Sequence, residues 1–243
     1  FRIHFTPHFS TVKNSDGTVK KGEYKFFNKP FGLKHWMQHG EGLDHIDFQR
    51  DHNVIVILVD PDMLLLRPLG VDFPIIDESD IQGRKTRVSA GSPFAQKYGL
   101  QSKWTEFDLT AIAGENSPAK EVSHTEAMQF YPAGPPYIAT ASDMYNIAVK
   151  WSEFAPLVHS QHPHLLAEMY AYCIAAAHLR LPHQILTTLM VSNTSMGREE
   201  GWHLSIDSTA PEKICQFASL SSPINESLPN TLHYCQRNML GYT

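Results

Sequence analysis

The sequence has no long hydrophobic run. Its longest strongly apolar stretch, Val54–Val59, falls far short of the roughly 20 residues a helix needs to cross a bilayer. Any membrane partner is therefore expected only through segments outside this piece. No signal peptide is visible, and a chain that opens on Phe1 and ends on Gly-Tyr-Thr reads as part of a longer protein. Cysteine is scarce: Cys173, Cys215 and Cys235 show no Cys-x-x-Cys spacing, which argues against a thiolate-bound zinc. One disulfide with a spare thiol, or three thiols, remain open. Positive charge is also short. Lys and Arg total 20 against 25 Asp and Glu, for a net charge of −5, so no basic field invites nucleic acid. Repeats and low-complexity tracts are absent. Apolar residues make up 42% and charged residues 19%, a balance that excludes a disordered chain and supports a sizeable core.

What is present suits one domain over residues 1–243. Ile3–Phe9 reads as a strand and Thr11–Gly22 as a polar turn. Asn28 as a cap and Pro30 in a first turn predict a helix over about 30–39, with Phe31, Lys34, His35 and Gln38 on neighbouring faces. Asn53–Val59 is the clearest strand, β-branched and apolar on both faces. That pattern belongs to a central, mostly parallel strand covered by helices on both sides. Met63–Leu66 reads as a short strand or turn, and residues 70–136 as irregular. Ser142 predicts a cap for a helix through about Trp151, and a second helix is expected from about His164 to Leu179. Small residues at Ala171 and Ala175–Ala177 permit that helix to pack closely. The expected class is α/β, with a mostly parallel central sheet flanked by helices.

The pattern that carries chemistry is Val59-Asp60-Pro61-Asp62. Ligands in open α/β sheets sit beyond the carboxyl ends of the strands, and two carboxylates stand where such a strand ends. Crowded carboxylates repel one another. A divalent cation such as Mn²⁺ or Mg²⁺ relieves the repulsion and also takes up phosphate oxygens. The same triplet also suits a strand-ending turn, which favours Asp and Pro. His233 is either a third, imidazole ligand or a packed interior histidine. Glu168, set in an apolar and aromatic helix, is either a functional carboxylate or one polar position on an amphipathic face. Gly134-Pro135-Pro136-Tyr137 and Gly91-Ser92-Pro93-Phe94 are rigid turns able to wall a pocket. Trp36, Trp104, Trp151 and Trp202 are candidate sugar platforms. The sequons at Asn193 and Asn225 lean weakly toward a secretory chain.

Five segments occur in one order: Asn28-Lys29-Pro30; Asp60-Pro61-Asp62-Met63 running to Arg67-Pro68-Leu69; Gly134-Pro135-Pro136-Tyr137; Glu168-Met169-Tyr170-Ala171-Tyr172; and His233-Tyr234-Cys235-Gln236-Arg237. Together they resemble the plant and green-algal peptidyl serine α-galactosyltransferases and, more distantly, the hydroxyproline O-arabinosyltransferases, which carry Glu-Pro-Asp-His in place of Asp-Pro-Asp-Met. The resemblance spans nearly the whole chain. It implies a GT-A type fold, a UDP-sugar donor with Mn²⁺ as cofactor, and retaining transfer to hydroxyproline-rich, extensin-like glycoproteins in the lumen of the endoplasmic reticulum or Golgi. It implies Asp60, Asp62 and His233 as metal ligands, and Lys29 and Gly134 beside the donor. Glu168 is implied as the catalytic residue lining the sugar. The first strand expected of such a fold is only partly present, which would put part of a uridine pocket upstream of Phe1. A non-catalytic glycan-binding module is the alternative from another class.

Overall fold

The computed structural model describes residues 2–13, 18–41, 43–44, 46–73, 85–192 and 229–234. Along the chain come a hairpin of β1 (Thr11–Lys13) and β2 (Val19–Glu23), helix α1 (Asn28–His39), and strands β3 (Ile55–Leu58), β4 (Met63–Leu65) and β5 (Phe94–Lys97). Two short helices follow, α2 (Leu109–Ala113) and α3 (His124–Phe130), then strand β6 (Ala133–Thr140). The long helices are α4 (Ala141–Gln161) and α5 (Ala167–His178), and short strands β7 (Gln184–Leu186), β8 (Met190–Val191) and β9 (Thr231–His233) close the described chain. No helix among the described residues is long and apolar enough to cross a membrane. Cys215, Cys235, Trp202 and both sequons lie outside the described residues.

The protein is α/β, but its sheets are not mostly parallel. The main sheet runs β3-β6-β5-β7, and the pairings β3–β6 and β6–β5 are antiparallel, leaving only β5–β7 parallel. A second sheet runs β4-β9-β8, with β4–β9 antiparallel and β8–β9 parallel. Among the described residues the Val-Ile-Val-Ile run therefore forms an edge strand, partly buried and paired with β6 alone. The inner strands are β6 and β5, and all eight residues of β6 are buried. Its Gly134-Pro135-Pro136 start looks like a turn because proline has no N–H to give a ladder. The structure accommodates both prolines at a register break: Ala95 of β5 faces Tyr137, and the next residue, Gln96, faces Gly134.

Burial of β6 on both faces follows from the period of two along a strand. Tyr137 and Ala139 face the helical layer, where Tyr137 stacks on Tyr172 of α5 at 4.0 Å between ring centroids and Trp151 of α4 stands edge-on to both. Ile138 faces a second core with Val88, Phe94, Leu186 and Leu189. Helix α5 is buried from Ala167 to Ala177, its alanines letting α4 lie close against it, as expected.

The helix ends differ from the expected ones. Thr140, not Ser142, caps α4, accepting the Asp143 N–H, while the Ser142 hydroxyl donates to the Gln49 carbonyl. α4 runs ten residues past Trp151, with Pro156 inside it. A mid-helix proline costs about 3 kcal/mol, and here the buried stripe Trp151, Phe154, Ala155, Val158 carries the helix through it. α1 buries Pro30, Leu33 and Met37, and Phe31 packs half-buried against the same core. Asn28 is not a cap. Its side chain ties down the incoming chain, accepting from the Phe9 N–H and donating to Ser10 Oγ and the Lys25 carbonyl. Ile3–Phe9 joins no strand among the described residues, and the polar segment after it holds the β1–β2 hairpin.

Candidate metal centre

Chain geometry after β3 assembles the site. The strand ends at Leu58, and the Met63 N–H closes a turn on the Asp60 carbonyl at 3.0 Å. β4 starts at once and takes β9 as partner, with Met63 opposite His233. The Tyr234 N–H donates to the Asp62 carbonyl at 3.0 Å, locking the two segments together. His233 therefore lies against the acidic turn, although it comes 170 residues after Met63 in sequence. Its Nε2 is 3.2 Å from Asp62 Oδ1 and 4.0 Å from Asp60 Oδ2.

The second half of the site comes from the helices. Lys29, in the first turn of α1, places Nζ 2.9 Å from Asp60 Oδ1 and 2.9 Å from Glu168 Oε1. The Glu168 contact is a directed hydrogen bond; the Asp60 contact is an ion pair outside hydrogen-bond geometry. Glu168 begins α5, and its backbone is held at both ends. Its N–H donates to the Tyr24 hydroxyl at 3.0 Å, and its carbonyl accepts the Trp151 indole N–H at 2.6 Å. The Tyr24 hydroxyl in turn donates to the Leu165 carbonyl.

Exposure grades across the cluster: the side chain of Glu168 is 2% exposed, His233 7%, Asp60 14%, Lys29 17% and Asp62 46%. Burial raises the Glu168 carboxyl above the ordinary glutamate range, and the Lys29 ammonium opposes that rise. Burial acts to lower the Lys29 ammonium, but the Glu168 and Asp60 carboxylates outweigh it and hold its pKa above the ordinary lysine value. Three carboxylates against one ammonium leave two negative charges when all are ionised, which matches one divalent cation. Glu168 Oε2 and the Tyr137 hydroxyl are buried without hydrogen-bond partners, an arrangement that costs free energy and often marks function. Burial, with the Glu168 charge adding to it, pushes the Tyr137 phenol well above its usual value.

The residues fit a hard divalent cation. One ligand atom each from Asp60, Asp62 and His233 lie within 4.8 Å of one another, and two carboxylates with one imidazole suit Mn²⁺ or Mg²⁺. The far ring nitrogen of His233 is held as well: Nδ1 lies 3.0 Å from the Tyr98 hydroxyl, the outer-shell partner that metal-bound histidines usually have.

Of the residues named from the sequence, Lys29, Asp60, Asp62, Glu168 and His233 come together here. Gly134 stands one step removed. A Cβ at Gly134 would fall inside the ring of Tyr98, so the glycine makes room for the residue that holds His233. Trp104 and Trp151 are fully enclosed in the core and offer no open platform, while Trp36 packs half-buried on Phe48 away from this cluster. Gly91 is a turn whose N–H donates to Asp143, at a backbone φ of 73° that favours glycine. Sequence reasoning missed Tyr98 and Tyr24. Neither carries a local pattern, and their roles exist only through partners 135 and 144 residues away.

Comparison with family models, curated proteins and solved structures gave no match.

Proposed function

We propose that this chain is the catalytic core of a metal-dependent, retaining glycosyltransferase of GT-A type. It moves a sugar, galactose, from a UDP-sugar to serine hydroxyls of hydroxyproline-rich glycoproteins in the endoplasmic reticulum or Golgi lumen. The observation that supports this reading is the convergence of Lys29, Asp60, Asp62, Glu168 and His233 just past the end of β3. Four of the five are at least four-fifths buried, and burial of charge without a task is expensive.

In this reading Asp60, Asp62 and His233 would hold Mn²⁺ or Mg²⁺, which would supply positive charge to stabilise a departing diphosphate. Lys29 supplies a second positive charge beside it. The bond between the anomeric carbon and the phosphate oxygen breaks, and its electron pair leaves on UDP. The serine oxygen forms the new bond on the face UDP vacates, and its proton passes to the departing phosphate. Glu168 stands behind Lys29, with one oxygen buried without a protein partner, and its charge balances the positive charge that grows on the ring.

The test measures transfer from UDP-galactose to serine peptides with saturating Mn²⁺, comparing the protein with Asp62→Ala. Loss of one ligand removes transition-state stabilisation of several kcal/mol, so turnover should fall at least about a hundredfold. Turnover near that of the unaltered protein would refute the metal role. Transfer from UDP-arabinofuranose to hydroxyproline peptides would instead favour the arabinosyl reading. Glycan binding without metal-dependent UDP binding would favour a non-catalytic module.

A further inference from the structure

We infer that Tyr98 is the positioning residue of this metal centre and that Gly134 exists to admit it; the inference rests on the metal reading above. Tyr98 follows β5 directly, and its N–H donates to the Pro132 carbonyl. Its ring lies over Gly134, in space that a Cβ would occupy. Its hydroxyl meets two groups at once, His233 Nδ1 at 3.0 Å and Met190 Sδ at 3.5 Å.

Those two contacts give His233 a hydrogen-bonding partner in either tautomer. A neutral imidazole carries one proton, and the nitrogen that binds a metal must be the bare one. Without a cation, Nε2 stands 3.2 Å from Asp62 Oδ1, an electrostatic contact rather than a directed hydrogen bond, and with the proton on Nε2 the bare Nδ1 accepts from the Tyr98 hydroxyl. With a cation, Nε2 is bare, and Nδ1–H donates to the Tyr98 oxygen. The Tyr98 hydroxyl hydrogen then turns to Met190 Sδ, a weak acceptor. The phenol serves both states because its O–H rotates and its oxygen accepts. Phenylalanine would serve neither. The His233 side chain is 7% exposed, so a proton on Nδ1 would then lie buried without a partner, and the metal-binding tautomer would be disfavoured. β8 carries Met190 and is itself fixed, because Gln96 accepts the N–H groups of both Leu189 and Met190.

The experiment titrates the purified protein with Mn²⁺ alone, without donor, and follows the free ion by electron paramagnetic resonance. Tyr98→Phe keeps the ring over Gly134 and removes only the oxygen. Mn²⁺ affinity should fall about 10- to 100-fold, and the ¹⁴N coupling of the bound ion to His233 should weaken. Gly134→Ala should cause a similar loss, and adding it to Tyr98→Phe should cost less than the product of the two. Binding of Mn²⁺ by Tyr98→Phe within about twofold of the unaltered protein, with unchanged ¹⁴N coupling, would overturn the inference and leave the metal reading standing. If the unaltered protein binds no Mn²⁺, the metal reading fails and takes this one with it. Should Tyr98→Phe not fold, ¹⁵N-histidine spectra of the unaltered protein decide. Mg²⁺ should move the His233 proton from Nε2 to Nδ1, and a proton that stays on one nitrogen throughout would overturn the inference.

Discussion

Replacing Lys29 by methionine keeps the length and apolar stem of the side chain and removes its charge. In the native protein Nζ lies 2.9 Å from Glu168 Oε1, and the other oxygen of Glu168 has no partner. Without the ammonium, a carboxylate only 2% exposed would stand alone, a situation that costs about 3–5 kcal/mol when a buried pair is broken. Glu168 limits that cost by taking up a proton. Holding a glutamic acid protonated at pH 7 against its ordinary value of 4.5 costs about 3.4 kcal/mol, at about 1.36 kcal/mol for each pH unit of the gap. At pH 5 the same step costs about 0.7 kcal/mol. The sign follows from linkage. A carboxyl whose folded pKa is raised contributes stability that is fully present below its unfolded value and is lost as pH rises through the folded one. Burial raises Glu168 in the native protein, and removing Lys29 removes the main opposing effect. Urea unfolding should therefore show Lys29→Met less stable by about 3 kcal/mol at pH 7 and by under about 1 kcal/mol at pH 5. Adding Glu168→Gln to Lys29→Met should recover most of the loss at pH 7. An equal loss at both pH values, or no recovery in the double variant, would refute the account of a buried carboxylate held by Lys29.

Two further outcomes follow from the helices. Thr140 is buried and caps α4 through the Asp143 N–H at 3.2 Å, so Thr140→Ala should lower stability by about 1–2 kcal/mol. The urea midpoint should move without a change in slope, and Thr140→Ser should restore most of it. Cys173 is a free thiol enclosed in α5, and burial pushes it up to about 12. Alkylation at pH 8 should spare it in the folded protein and modify it in urea, as read by peptide mass spectrometry; rapid labelling of the folded protein would contradict its burial.

The parts of this fold legible in the sequence are those set by local pattern. The run Asn53–Val59 reads as a strand because β-branched residues fit a pleat, and α4 and α5 announce themselves by apolar periodicity. The rank of a strand within a sheet is not a local property. β3 reads as central because it is apolar on both faces, yet among the described residues it pairs only with β6. β6 looked like a turn because its prolines cannot join a ladder, and the register break that admits them belongs jointly to β5 and β6.

The site was more legible than the sheet, for a physical reason. What matters for Asp60 and Asp62 is that they follow the end of a strand, and a strand ends at the same place whether its neighbour runs parallel or antiparallel. The mistaken sheet order therefore left the acidic turn where it was expected. What the sequence could not show is how the other three residues reach that turn. Lys29 arrives on α1, Glu168 on α5 and His233 on β9, and each is held by contacts far from it in sequence: the Tyr24 hydroxyl and Trp151 indole for Glu168, the β4 ladder and the Tyr98 hydroxyl for His233. Those contacts are also why the cluster can stay assembled with excess negative charge. The mutual repulsion of Asp60, Asp62 and Glu168 is resisted by Lys29 and by backbone anchors that do not depend on any of the three carboxylates. A cation entering between Asp60, Asp62 and His233 would thus meet ligands already gathered, so most of the entropy of collecting them is spent in folding rather than in binding.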